Sequence, residues 1–262
     1  MIERLKKGFS DLNISVSDTQ LKQLETYAAL LAEWNEKINL TAITEPTEVA
    51  EKHFLDSAMC LKTGVSGKVI DVGTGAGFPG LVLKILKPEI ELCLLDSLQK
   101  RIGFLQAVCE ALSLDGVTFV HARAEDGGQD KLYRESFDFA VARAVANLST
   151  LSEYCLPFVK TGGCFVAMKG PKASEEVILA KNAIKKLGGE ILEVLEEEIP
   201  DTDYEHVLVS IKKSSTDPDA IPQKSRKTRK TTLINCEKLS RFAIIFFIKG
   251  FPNISNYGII NQ

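Results

Sequence analysis

Residues 71–80 read DVGTGAGFPG (Asp71–Gly80), and they follow the short β-prone run KVIDVG (68–73) and precede an apolar helical stretch near 79–87. Glycines 73, 75 and 77 let the backbone turn tightly and approach a ligand closely, and helix amides follow beyond the turn. A glycine-rich strand-to-helix turn of this kind opens an α/β domain. A dinucleotide fingerprint would require its third glycine where Phe78 stands, and Pro79 occupies the position where a helix starts. The spacing disfavours a pyrophosphate ligand and suits one that carries adenosine and an amino acid across the turn.

Outward from this turn, β-rich runs alternate with helical stretches. ELCLLD (91–96), VTFVHA (117–122), FDFAVARA (137–144) and GGCFVAMKG (162–170) are separated by helical patterns near 97–113, 148–159 and 173–187. Such alternation predicts a mostly parallel sheet covered on both faces. GGEILEVLEEEIP (188–200) and HVLVSIKK (206–213) have no helix between them, which predicts an antiparallel pair at one edge and seven strands in all. That ending fits the Rossmann-like fold of class I S-adenosylmethionine-dependent methyltransferases better than a six-stranded dinucleotide-binding fold.

Before Gly67 the pattern is helical. A helix is expected over about 2–12. Leu21, Leu24, Tyr27, Ala28, Leu31, Trp34 and Ile38 then form a stripe at helical spacing, with Ser17 or Asp18 as cap. A third stretch runs from Pro46 to about Gly64. The expected division is an N-terminal helical cap at 1–66, a methyltransferase-type domain at 67–213, a basic segment at 214–233 and an atypical tail at 234–262.

The successive strand ends carry the candidate site. Asp96 closes the second strand, 23 residues after Gly73, where a carboxylate can accept both hydroxyls of a ribose; it is equally placed to cap the following helix. Ala124 and Glu125 follow the third strand and would flank an adenine, and Arg143 ends the fourth. As structural alternatives, Glu125 and Asp126 are solvated loop acids and Arg143 pairs with either of them.

The chain of 262 residues is 45% hydrophobic and 26% charged, with a formal net charge of −3. Residues 212–230 hold seven Lys/Arg against two Asp, and the balance over residues 1–211 is −10. An acidic body of this kind meets a polyanion through a local basic patch and not with its whole surface. The first thirty residues lack the order of a signal peptide, and no apolar run approaches the ~20 residues that a bilayer requires. A cytoplasmic protein is expected, with no membrane partner. The six cysteines form no C-x-x-C pair and sit in apolar runs, as small core residues do; no metal is expected.

WNEKINLTAI (34–43), EKHFLDS (51–57), DVGTGAGFPG (71–80), LLDSLQKR (94–101), RAED (123–126) and VARAVANL (141–148) together resemble the bacterial glucose-inhibited division protein B family, whose members are small-subunit ribosomal RNA guanine-N7 methyltransferases. The resemblance covers about residues 1–213. It implies S-adenosylmethionine contacts at Gly73, Phe78, Ala124, Glu125 and Arg143, with Asp96 at the ribose. It implies as substrate a guanosine in the decoding-region loop of 16S ribosomal RNA, free or within the small subunit or an assembly intermediate, and no DNA. Asn39 and His53 either line the guanine pocket or tie cap to core, and Lys169 is a candidate RNA-phosphate contact. Guanine N7 carries no proton, so no base is needed and no catalytic residue is assigned. Arg143→Ala or Gly73→Val is expected to abolish cofactor binding with the fold largely intact.

Two departures stand out. The family commonly carries an Arg-containing pair before the last strand, where this chain has Glu205-His206. The usual basic ending, similar to P-R-K-x-G-x-P-x-K-x-P-L, is replaced by PQKSRKTRKTTL (222–233), after which the chain continues. Gln223–Leu233 can be encoded so that dropping one base spells R-K-A-G-K-P-G-K-P-L and a stop. A one-base shift near Pro222 is therefore the expectation, and the gene's nucleotide sequence decides it. FAIIFFI (242–248) within the tail is an aggregation-prone run.

Other classes have their own signatures. A methyltransferase of small molecules or proteins would suit the acidic body. A non-enzymatic RNA-binding assembly factor would bind no S-adenosylmethionine. An NAD-dependent oxidoreductase is opposed by Phe78 and Pro79.

Overall fold

The computed structural model describes residues 1–216. The proposed basic segment beyond that point, the frame shift and the tail lie outside the described residues.

Three helical regions precede the sheet: α1 (Ile2–Asp11), α2 (Asp18–Ile38), and a continuous run made of α3 (Pro46–Val49), a π-helix (Ala50–Leu55), α4 (Asp56–Ala58) and a 3-10 helix (Met59–Thr63). Ser17 caps α2 in a reciprocal capping box with Gln20. The Gln20 amide also donates to Ile85 and Leu86 carbonyls, so the cap's start is fastened to the sheet layer. Ser17→Ala is expected to lower stability by about 1 kcal/mol, readable in urea denaturation; an unchanged midpoint would remove the box from the account. The third stretch was expected as one helix, but its turn widens to π geometry at Ala50–Leu55, the segment that contains His53.

The strands β1 (Lys68–Val72), β2 (Glu91–Asp96), β3 (Val117–His121), β4 (Phe137–Arg143), β5 (Val159–Lys169), β6 (Gly189–Glu198) and β7 (Glu205–Lys213) form one sheet in the order β3-β2-β1-β4-β5-β7-β6. The first five are parallel, and β7 inserts antiparallel between β5 and β6. This is the expected class I methyltransferase architecture. The helices α5 (Gly80–Leu86), α6 (Gln99–Ala111), α7 (Ala124–Gly127), α8 (Leu148–Cys155) and α9 (Ala173–Lys186) lie between strands. α7 and the 3-10 turn Leu156–Phe158 were not anticipated, and β5 begins three residues earlier than expected.

Two cores form because successive strand residues point to opposite faces. Val69, Leu92, Leu94 and Val141 pack with α5, α6 and the cap residues Phe9, Leu24 and Tyr27. Ile70, Cys93, Leu95 and Ala142 pack with α8 and α9 on the other face. The same parity sends Asp71, Arg143 and His206 toward the cap. Burial pushes the cysteine thiols up, Cys93 to about 12 and Cys164 to about 11, and the described cysteines are free. No helix among the described residues is long and apolar enough to cross a membrane.

Candidate functional site

The strand order reverses between β1 and β4, and their C-terminal ends part there to open a crevice. A cavity of about 580 Å³ occupies it, lined by all six residues named from the sequence: Gly73, Phe78, Asp96, Ala124, Glu125 and Arg143. Leu40, Thr41 and His53 close it from the cap.

The glycine turn is pinned from several sides. Gly73 N and Thr74 N donate to Leu95 O at 2.8 and 3.1 Å, tying the turn to β2. The Tyr27 hydroxyl, from α2, donates to Ala76 O. Gly73 has φ +71°, and a Cβ there would stand 2.9 Å from Val145 Cγ2 on the opposite rim. At Gly77, φ +97°, a Cβ would overlap the Tyr27 hydroxyl, so cap and turn interlock only through glycine. The Phe78–Pro79 bond is cis.

Asp71 is fully buried beneath the turn. Its Oδ2 accepts from Thr74 Oγ1 and Gly80 N, at 2.7 and 2.9 Å, whereas Oδ1 has no partner. Burial raises its pKa to about 6, against the lowering effect of those two bonds. A carboxyl that titrates near 3.8 unfolded and near 6 folded favours the folded state most below pH 4. That contribution is lost as pH rises through 6. Asp71→Asn is therefore expected to gain stability relative to wild type between pH 4 and 7, measured by urea denaturation across that range. A pH-independent difference would contradict the assignment.

Asp96 is 2% exposed and more engaged than expected. Its Oδ2 accepts from Gly75 N at 2.9 Å and from Arg101 at 3.2 Å, and its Oδ1 accepts from Leu98 N at 2.9 Å. The carboxylate thus bridges the glycine turn to the start of α6, although the helix cap position itself is Leu98. The sequence treated ribose binding and capping as alternatives, and the side chain faces the cavity while holding the loop.

Arg143 departs furthest from expectation. Its Nη1 donates to Asp56 Oδ2 at 2.7 Å and Lys52 O at 2.8 Å, its Nη2 lies 3.1 Å from His53 Nδ1, and the guanidinium sits 5.0 Å from the Phe78 ring centre. The arginine is the joint between cap and sheet as well as a cavity wall, and it pairs with Asp56, not with Glu125 or Asp126. His53 stacks on Phe78 at 4.4 Å between centroids, and its Nε2 lies 2.9 Å from Thr41 Oγ1. Burial, aided by Arg143, lowers its pKa to about 4, so the ring is neutral at pH 7. Burial works to raise the Asp56 pKa, but the hydrogen bonds from His206 and Arg143, with the Arg143 charge, outweigh it and keep the carboxyl ionised.

A second cavity of about 700 Å³ adjoins the first, sharing His53, Arg143 and Ala144, and is also lined by Lys169, Tyr204 and His206. Lys169 Nζ is committed inward, to Ala146 O at 2.9 Å and Glu176 Oε2 at 2.7 Å, so it does not stand free for a phosphate. Asn39 takes the left-handed C-cap of α2 and lines neither cavity. The sequence reading missed Thr41, Tyr27 and the pairing of Asp56 with His206. Asp56 lay inside the quoted EKHFLDS segment, and strand parity on β7 was the signal for His206. Among the described residues no group of three His, Cys, Asp or Glu is placed to hold a metal.

The first cavity can accept a nucleoside-bearing ligand of ordinary size: its volume lies within the ~300–1,000 Å³ typical of small-molecule sites, with a glycine cradle at one end and acidic groups at the other.

A family model described as rRNA small subunit methyltransferase G matches residues 20–203. A ribosomal RNA small subunit methyltransferase G from Alkaliphilus oremlandii is 53% identical over 229 residues, covering 86% of this chain and 96% of that protein. Its counterpart from Clostridium beijerinckii is 48% identical over 224 residues, covering 84% and 94%. A solved precorrin-6y C5,15-methyltransferase from Geobacter metallireducens is similar at 14% identity and a TM-score of 0.46, over 68% of this chain and 92% of that one.

Proposed function

The chain belongs to the rRNA small subunit methyltransferase G family, and from that membership we propose that it methylates N7 of a guanosine in 16S ribosomal RNA, in the decoding-region loop, with S-adenosylmethionine as donor. The observation that carries the cofactor reading is the convergence of Gly73, Phe78, Asp96, Ala124, Glu125 and Arg143 on one crevice at the strand-order reversal. Gly73 would give the cofactor's amino-acid end close access to backbone, Asp96 would hold the ribose, and Ala124 and Glu125 would flank the adenine. Phe78, held between His53 and Tyr27, and Arg143 form the wall toward the substrate.

When bound, the cofactor supplies an electrophilic sulfonium methyl. Guanine N7 carries a lone pair and no proton, so the residues of this chain would have no proton to take up or pass on. The protein's task is alignment and water exclusion. Neutral His53 adds no positive charge beside the developing cation, and ionised Asp56 offsets Arg143. No metal enters this scheme. The substrate is the RNA, the small subunit or an assembly intermediate, and the protein acts in the cytoplasm.

The experiment is transfer of labelled methyl from S-adenosylmethionine to ribosomal RNA from cells lacking the modification. RNA-dependent incorporation that falls steeply with salt is expected. The net charge of −10 over residues 1–211 favours a second reading, a small-molecule or protein substrate, for which incorporation would be independent of RNA.

A further inference from the structure

His206 is 6% exposed and its Nδ1 lies 2.5 Å from Asp56 Oδ1. Its Nε2 has no hydrogen-bond partner, yet the residue lines the second cavity, next to the shared wall of His53 and Arg143. The other orphaned side-chain atoms among the described residues belong to Arg4, Ser57 and Asp71, none of which lines this cavity. A buried polar atom left unpaired is costly, and such atoms persist where a ligand completes them.

The chemistry of that nitrogen follows from its partners. Asp56 is ionised and can only accept, so His206 Nδ1 donates to it. In the neutral ring the remaining nitrogen, Nε2, then presents a lone pair. Guanine offers N–H donors at N1 and the 2-amino group of its Watson–Crick edge, whereas adenine presents a lone pair at N1 and no donor at C2, its amino donor lying at the position of guanine O6. Both purines have an N7, so reactivity alone does not separate them.

We propose that His206 is a specificity-determining residue whose Nε2 accepts a hydrogen bond from the Watson–Crick edge of the substrate guanine in the second cavity, with the N7 edge turned toward the first. The proposal rests on the guanine-N7 reading above. Asp56 fixes the tautomer, and Arg143, bonded to the same carboxylate, couples this contact to the wall of the cofactor cavity.

Two substitutions separate recognition from packing. His206→Asn places an amide where Nδ1 was and retains the Asp56 contact, but offers nothing at the Nε2 position. His206→Gln reaches the Nε2 position with a carbonyl acceptor and gives up the Asp56 contact. With wild type and both variants, kcat/KM is measured on ribosomal RNA from cells lacking the modification, and S-adenosylmethionine affinity by calorimetry. Asparagine is expected to lose roughly 10- to 100-fold in kcat/KM with cofactor affinity unchanged, and glutamine to retain more activity than asparagine. A purely structural role gives the opposite order, with asparagine near wild type, and would overturn the proposal. Loss of cofactor affinity in step with activity would also overturn it. If the wild type itself methylates no ribosomal RNA, the functional reading fails and this assignment with it; an active wild type beside an equally active asparagine variant sinks only the assignment to His206.

Discussion

Arg143→Ala should abolish S-adenosylmethionine binding and also destabilise the fold by about 3 kcal/mol. The sequence led us to expect loss of binding alone. Its guanidinium, however, is the partner that balances Asp56, a buried carboxylate contributed by the cap, and it also satisfies the Lys52 carbonyl. Truncation leaves Asp56 with His206 alone and opens a hole beside Phe78. Removing one member of a buried pair costs more than the pair contributes, because the other charge stays desolvated. The retained His206 bond places the effect at the low end of the usual range. Arg143→Lys keeps the charge but cannot reach Asp56, the Lys52 carbonyl and the Phe78 face together, and should fall between. Urea denaturation and calorimetric titration of the three proteins check this. Wild-type stability with wild-type affinity in the alanine variant would remove Arg143 from both the joint and the site.

Gly73→Val should reduce cofactor affinity at least about 100-fold. Two penalties combine at this position. A φ of +71° costs an L-residue roughly 1–2 kcal/mol, more for a β-branched one. The added Cβ would stand 2.9 Å from Val145, so either that rim residue or the turn must move. Either movement disturbs the crevice at the point where β1 and β4 part, since Gly73 N and Thr74 N are both bonded to Leu95 O. Gly73→Ala has the same backbone penalty with fewer atoms, and should show an intermediate loss. Calorimetric titration decides; affinity within twofold of wild type in the valine variant would contradict the cradle.

The sheet was legible because its evidence is local. Alternating β-rich and helical runs, the Ser17 cap and the absence of a helix between 188–200 and 206–213 each needed only neighbouring residues. Five of the six site residues were legible for a related reason, since Asp96 and Arg143 end strands that the sequence marks and Gly73, Ala124 and Glu125 follow such ends; Phe78 came from the family resemblance. What stayed hidden depends on contacts between distant segments. Arg143 and Asp56 are 87 residues apart, and nothing near either one records the pairing. Lys169 reads as a free cation until Glu176 of α9 is seen against it. Asn39, in a family-like segment, was open between lining the guanine pocket and tying cap to core, and its positive φ places it at the end of a helix. The π-turn at Ala50–Leu55 was not legible either, since the local sequence reads as an ordinary helix.

The central claim is methyl transfer to N7 of one guanosine. A purine methylated at N7 becomes sensitive to reduction and to base-promoted strand scission, so the product can be mapped by cleavage and primer extension. The measurement is that mapping on 16S ribosomal RNA from cells lacking the modification, after incubation with the protein and S-adenosylmethionine. A single new cleavage at a guanosine in the decoding-region loop, absent without cofactor and absent with Gly73→Val, is the expected result. Incorporated methyl with no such cleavage, or cleavage at a different nucleotide, would contradict it.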